Sequence, residues 1–219
     1  MRRIFLILMV AMMAIGTAGA AMAALPQGVN PDDVIYLDLK DGRVTILTRP
    51  DKAPMTVARI KQLVRQGFYD GLTFHRVIDG FMAQGGDPKG DGTGGSGQNL
   101  KAEFNDLPHV RGALSMARAA DPNSADSQFF IVLAPSFFLD GQYTVWARVI
   151  DGMQFVDHIK KGDPNDNGTV TDPDKIIRMQ VASDVEKNGD KTTDAEKAKQ
   201  AALAKQEAEE AAAAASGSK

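Results

Sequence analysis

Eight short runs of alternating or β-branched residues constrain the fold of this chain more than any other feature. They lie at Val34 to Lys40, Arg43 to Arg49, Thr73 to Ile78, Met82 to Gln84, Gly112 to Ala117, Gln128 to Leu133, Thr144 to Ile150 and Lys175 to Ala182. Successive side chains of a strand point to opposite faces, so such runs bury one face each and read as strands. Asp41-Gly42, Asp79-Gly80 and Asp140-Gly141 stand between runs, and such pairs accept the positive φ angles that tight reversals need. Two segments carry helical spacing instead. Ala53 to Gln66 puts Val57, Ile60 and Val64 on one face, with Pro54 suited to the first turn and Gly67 to end it. Asp151 to Lys161 lines up Met153, Val156 and Ile159, with Gly162 after the last turn. Eight strands and two helices predict an all-β fold, an antiparallel closed barrel or a sandwich whose open ends the helices cover.

The two ends of the chain differ from this middle. Arg2 and Arg3 precede a stretch without charge from Ile4 to Leu25, which gives way to small residues and to Ala21-Met22-Ala23. That is the pattern of a cleavable secretory signal over residues 1–23, and it predicts export. An uncleaved membrane anchor is the alternative, since such a stretch could span about 30 Å of hydrocarbon. Cleavage takes two positive charges from a net charge of −3 and leaves −5, which argues against nucleic acid as a partner. The absence of cysteine excludes disulfides and thiolate metal sites. From Asp184 to Lys219 the composition turns to Ala, Lys, Glu and Gln, and Val185 and Leu203 are the only large apolar side chains. No apolar stripe exists there to bury, so residues 184–219 read as a solvated tail, with a partner-binding segment as the alternative, and residues 24–183 as the folded domain. A monomer is expected.

Several chemistries fail on their own requirements. Gly90-x-Gly92-x-x-Gly95 matches a dinucleotide fingerprint only as a string: Asp87-Pro88 precedes it and Ser96-Gly97-Gln98-Asn99 follows, where a strand and a helix are needed. It reads as a tight surface loop. No Gly-x-Ser-x-Gly elbow supports a hydrolase. His75, beside Arg76 in an apolar run, reads as a structural, hydrogen-bonded imidazole, His109 as a loop residue and His158 as a helix-surface residue. Asp163, Asn165, Asn167, Gly168 and Asp174 resemble part of a calcium loop, but the alternation from Ile176 to Val181 denies it the following helix. Turn chemistry explains the segment equally well.

What remains is Arg76, Phe81, Met82 and Gln84, followed by Gln128, Phe129 and Phe130. Met82 and Gln84 share one face of a strand, as do Gln128 and Phe130, while Phe129 points the other way. If Asp79-Gly80-Phe81 is a three-residue hairpin loop, Arg76 stands opposite Gln84 and Ile78 opposite Met82. A two-residue loop would slip the register and remove Arg76 from that face. Periodicity leaves both registers open, and ordinary core packing is the competing reading of the aromatics and methionine.

These residues fall within blocks that resemble those of the cyclophilins, the cyclophilin-type peptidyl-prolyl cis-trans isomerases. The blocks are Phe74-His75-Arg76-Val77-Ile78, Gly80-Phe81-Met82, Gln84-Gly85-Gly86-Asp87, Gly92-Thr93-Gly94-Gly95, Leu114-Ser115-Met116-Ala117, Ser127-Gln128-Phe129-Phe130-Ile131 and Leu139-Asp140-Gly141, in the family's order. The resemblance covers roughly Val34 to Ser183 and implies an eight-stranded antiparallel closed barrel capped by two α-helices. It implies a groove in which Arg76 is the catalytic cation and Gln84 bonds the substrate backbone. Phe81, Met82, Phe130 and Leu139 would form a proline pocket, Ala117 and Arg118 a strand edge for the peptide, with Gln128 nearby, and Phe138 and Tyr143 would also bind substrate. It implies proline-containing polypeptides as substrates and no metal or organic cofactor. Phe138 stands where many members have tryptophan, Tyr143 where many have histidine and Arg118 where asparagine is frequent. Loss of the indole N–H at Phe138 predicts weaker binding of the cyclic-peptide inhibitor known for the family. A proline-peptide-binding chaperone module with little turnover is the alternative function, and Arg76 discriminates, since binding alone has little need of it.

Overall fold

The computed structural model describes residues 25–192; the proposed signal and residues 193–219 of the tail lie outside them. Eight strands form one antiparallel sheet: β1 (Val34–Leu39), β2 (Gly42–Thr48), β3 (Arg76–Ile78), β4 (Met82–Gly85), β5 (Ala113–Met116), β6 (Phe129–Val132), β7 (Val145–Asp151) and β8 (Arg178–Val181). Their spatial order is β3-β4-β6-β5-β7-β2-β1-β8. Register shifts at Thr45/Ile46 and Leu114/Ser115 mark irregularities that help the sheet curl.

The sheet curls into a half-barrel and is not sealed by a ladder, which corrects the closed barrel of the resemblance. β3 and β8 are its two edges, and single backbone bonds from irregular segments span the gap between them. Phe74 N–H donates to Asp174 O at 2.9 Å, Val77 N–H to Gly168 O at 2.8 Å and Ile176 N–H to Leu72 O at 2.8 Å. Residues 73–74 bond to this connecting chain outside the β3–β4 ladder, and β3, which begins only at Arg76, is shorter than its apolar run.

Helix α1 (Pro54–Arg65) buries Val57, Ile60, Leu63 and Val64 against the curled sheet, as its spacing predicts. Its first residue is a proline and its N-cap, Ala53, offers no side-chain bond. The Glu103 carboxylate supplies the missing cap, accepting from Met55 N at 3.0 Å and Thr56 N at 2.8 Å. Helix α2 (Met153–Asp157) is shorter than predicted. Gly152, at φ 83°, turns the chain out of β7 before it, and Lys160 N–H leaves the helical pattern to reach Asp174 Oδ2 at 2.8 Å.

A third helix, α3 (Ala182–Asn188), crosses the point at which composition places the end of the domain. Val185 is buried with Val34, Tyr36 and Ala182. Beyond it, Asp190 accepts from Arg43 Nη2 at 2.9 Å and from Gln180 Nε2 at 2.8 Å, and the buried Thr192 donates to Asp38 Oδ2 at 2.6 Å. Residues 184–192 are therefore packed on β1 and β8, because one valine and a polar cluster suffice where no apolar stripe exists.

Besides this small cluster around Val185, two apolar clusters divide the interior. The larger fills the curl beneath α1 and includes Trp146, Phe129 and Tyr69; Phe129 meets Trp146 edge-on at 6.1 Å. The smaller contains Met82, Phe130, Val132, Leu139 and Val145 and forms the floor of the site described next. Phe129 and Phe130, neighbours on one strand, thus serve opposite faces.

Candidate active site

The β3–β4 hairpin adopts the three-residue loop. Arg76 pairs with Gln84 and Ile78 with Met82, so guanidinium, amide and thioether share a face. The same level of the sheet continues from Gln84 to Phe130 on β6 and from Phe130 to Ser115 on β5. Four strands thereby align one rung of side chains, which is why residues far apart in sequence converge.

Beside this rung lies an open pocket of about 120 Å³ lined by Arg76, Phe81, Met82, Gln84, Ala117, Arg118, Phe130, Leu139 and Tyr143. These are nine of the residues that the resemblance singles out. Of the other two, Phe138 is exposed at the rim and contacts Phe81 at 5.6 Å between ring centres. Gln128 lines an adjoining pocket of about 280 Å³, which shares Gln84, Ala117 and Arg118 with the first. The Ala117 N–H is already given to Gln128 O at 2.9 Å.

Arg76 is held on two sides by neutral acceptors. Its Nη1 donates to Gln84 Oε1 at 3.2 Å, its Nε to Asn167 O at 2.9 Å and its Nη2 to Asn167 Oδ1 at 2.9 Å. Burial in the pocket wall pulls the guanidinium below its ordinary pKa, opposed by Tyr143, yet an arginine remains charged at physiological pH. Gln84 Nε2 donates in turn to Gln128 Oε1 at 3.0 Å, and Gln128 Nε2 to Gly92 O and Gly94 O at 3.0 and 2.8 Å. A relay of amides thus joins the cation to the glycine loop.

That loop is a nest for a carboxylate of the chain itself. Asp87 accepts from Lys89 N at 2.8 Å and Gly92 N at 2.6 Å, and a Cβ on Gly94 would collide with it. Burial raises the Asp87 carboxyl, but the backbone donors outweigh it and hold the group below the usual carboxylate range. The N–H groups that a phosphate would need are taken.

Two residues join the site that sequence reasoning placed elsewhere. Asn167, read as turn or calcium-loop chemistry, sits at φ 51°, ψ 24° and presents both its oxygens to Arg76. Its signal in the sequence is Asn167-Gly168, a turn pair that does not say what the turn presents. The other residues of that spacing are engaged: Asp163 caps Asn165 N at 2.8 Å and Asp174 pairs with Lys40 at 3.3 Å. His109, read as a loop residue, is fully buried. Its ring stacks on Phe130 at 6.0 Å, with Nδ1 2.8 Å from Asp140 Oδ1 and Nε2 3.0 Å from Ser115 Oγ. His75 is also buried, but no ring nitrogen has a partner of normal geometry among the described residues. It is held just before β3 by packing, and burial pushes its pKa down.

Comparison with known proteins agrees with this geometry. The profile of the family described as cyclophilin type peptidyl-prolyl cis-trans isomerase/CLD matches residues 34–181. A probable peptidyl-prolyl cis-trans isomerase of Brucella abortus is 50% identical over 186 residues, 76% of this chain and 95% of that protein. Peptidyl-prolyl cis-trans isomerase B of Bacillus subtilis is 47% identical over 131 residues, 58% of this chain and 91% of that protein. Among solved structures, the cyclophilin AquaCyp293 of Hirschia baltica superposes with a TM-score of 0.63 at 29% identity, covering 71% of this chain and 76% of its own. A Cryptosporidium parvum cyclophilin crystallised in the presence of the dipeptide Ala-Pro gives 0.62 at 29% identity, covering 68% of this chain and 98% of its own. The chain belongs to the cyclophilin-type peptidyl-prolyl cis-trans isomerases.

Proposed function

We propose that the groove around Arg76 carries the isomerase activity and that its clients are exported polypeptides still unfolded at their proline bonds. Rotation about an Xaa-Pro bond faces a barrier of about 18–20 kcal/mol, set by amide resonance. No bond is made or broken, so the site needs no nucleophile. It needs a donor that meets the proline nitrogen only when twisting has localised a lone pair there.

Arg76 suits that role. Three of its five N–H groups are committed, one each from Nε, Nη1 and Nη2. One N–H on each terminal nitrogen is left for a ligand in the pocket that this residue lines. Phe81, Met82, Phe130 and Leu139 would hold the pyrrolidine ring still. Gln84 and the Ala117–Arg118 edge would grip the flanking backbone, so that the two sides of the bond are held against each other. Lowering the barrier by about 6 kcal/mol would accelerate exchange by roughly four decades.

The observation that carries this reading is the cation itself, fixed by neutral partners at the wall of a pocket that Phe81, Met82, Phe130 and Leu139 also line. Such an arrangement leaves its charge for the ligand. The test is isomerisation of a short Xaa-Pro peptide by the native chain and by Arg76→Ala, with peptide affinity measured separately. Loss of most turnover with affinity kept is expected; equal turnover removes Arg76 from the mechanism, and binding without turnover in the native chain returns it to a chaperone module.

Export is supported by residues 1–23 and by chemistry, since translocated chains arrive unfolded and proline isomerisation can limit their folding. A periplasmic foldase acting as a monomer is the resulting proposal. No helix among the described residues is long and apolar enough to cross a membrane. Cleavage would appear as an N-terminus near Ala24 in protein recovered from the cell envelope; an intact Met1 there would favour the anchor.

A further inference from the structure

A second guanidinium borders the groove, and among the described residues it too meets no acid. Arg118 lines both the proline pocket and the adjoining one. Resting on the reading of this groove as the isomerase site, we propose that Arg118 selects clients carrying an acidic side chain within two residues of the proline.

The side chain is placed in advance. Its Nε and Nη2 donate to Gln142 O at 3.3 and 3.0 Å, and its Nη1 to Ala119 O at 2.8 Å and Ala120 O at 3.1 Å. The guanidinium carbon lies 4.6 Å above the Tyr143 ring and 6.0 Å from that of Phe104. Four of five N–H groups are thus bound to carbonyls, leaving one on Nη2, and none of these contacts neutralises the charge. Other arginines behave differently here: Arg43, Arg49, Arg65 and Arg111 each reach an aspartate. A cation anchored by four bonds to neutral oxygens spends little entropy in meeting a carboxylate.

The acids nearby are engaged. Asp126, in the adjoining pocket, accepts from Ser96 N at 3.0 Å, Gly97 N at 2.8 Å and Gln98 N at 3.1 Å, and from the Ser96 hydroxyl. Asp121 accepts from Asn123 N at 2.9 Å. Both are held by donors other than Arg118, Asp126 by residues 96–98 and Asp121 by its own turn, whereas Arg118 stands on the wall that the two pockets share. Two residues of extended chain reach about 7 Å, so a side chain adjacent to a seated proline comes within range of it. An ion pair at such a rim is worth a factor of about two to five.

The experiment uses proline tetra- and pentapeptides in which Glu, Gln or Lys stands in turn at each of the two positions on either side of the proline. For the native full-length chain, kcat/KM is expected to favour Glu over Gln about two- to fivefold at one position, with Lys below Gln, and the preference to vanish at high salt. In Arg118→Gln the Glu-to-Gln ratio should fall to one, while Arg118→Lys keeps its direction. A native ratio of one at all four positions overturns the inference, as does a preference that survives in Arg118→Gln. If no peptide is accelerated, the isomerase reading of the groove has failed and this inference falls with it; ordinary turnover of the Gln peptides without charge preference sinks this inference alone.

Discussion

Replacing Asn167 by glycine isolates how much of the proposed catalysis depends on the orientation of the guanidinium. Glycine accepts the φ of 51° without strain and keeps the carbonyl that receives Nε, so only the bond from Nη2 to Oδ1 is lost. A hydrogen bond to a charged donor is worth about 1.5–3 kcal/mol when buried. Asn167 is exposed, and water can replace its oxygen, which reduces the net loss to about 0.7–1.4 kcal/mol. If that bond holds Arg76 for the twisted state alone, kcat/KM falls about three- to tenfold with KM unchanged. Exchange measured by NMR on a single Xaa-Pro peptide reports both isomers directly and needs no coupling protease. Asn167→Asp should be slower still, because a carboxylate at 2.9 Å from Nη2 would compete for the charge. Native rates in Asn167→Gly would refute positioning by this carboxamide, and an Asn167→Asp variant faster than Asn167→Gly would refute the electrostatic account.

Other consequences concern stability and binding. His75 has a folded pKa below its ordinary 6.5, so the unfolded chain binds the extra proton. Thermal stability should therefore decline as pH falls below about 6.5, and His75→Gln should flatten Tm between pH 7.5 and 5. Asp190 is held well below the carboxylate range: burial opposes this, but bonds from Gln180, Thr192 and Arg43 prevail. Its contribution is complete above about pH 4 and lost on further acidification, so the Tm gap between native chain and Asp190→Asn should be constant from pH 7 to 5 and close below about pH 4. A chain ending at Ser183 should have a lower Tm than one ending at Thr192, because it lacks Val185 and the Asp190 and Thr192 contacts; equal Tm values would show that α3 contributes nothing. Phe138→Trp, on an exposed rim position, should tighten the cyclic-peptide inhibitor, and unchanged affinity by calorimetry would contradict the role given to the missing indole N–H.

The strands and helix α1 are legible because period-two alternation, the 3.6-residue stripe and Asp-Gly turns are local properties of the chain. The pairing of Arg76 with Gln84 lies one step beyond: two loop lengths were consistent with the residues, and only the resemblance or the structure selects between them. Asn167 was out of reach for a different reason. An asparagine before glycine announces a left-handed turn, and its partner sits at position 76, a relation that no local pattern encodes. His109 likewise gives no periodic sign of burial, since its environment is assembled from Asp140, Ser115 and Phe130. Helix α3 was hidden by composition: alanine and charged residues conceal a single buried valine. Sequence logic thus reaches the elements and their faces, and misses contacts made by isolated residues across long separations.

The unladdered gap between β3 and β8 gives the arginine an unusual seat. It stands on an outermost strand of three residues, zipped to β4 on one flank and tethered on the other by lone bonds such as Val170 N–H to His75 O at 3.0 Å and Gly162 N–H to Val77 O at 2.9 Å. Amide protons along this seam should exchange with solvent sooner than those of β1 and β2. The floor of the slot, built on interior strands such as β4 and β6, then opens less readily than the lip that carries Arg76, a contrast that a fully zipped cylinder would lack.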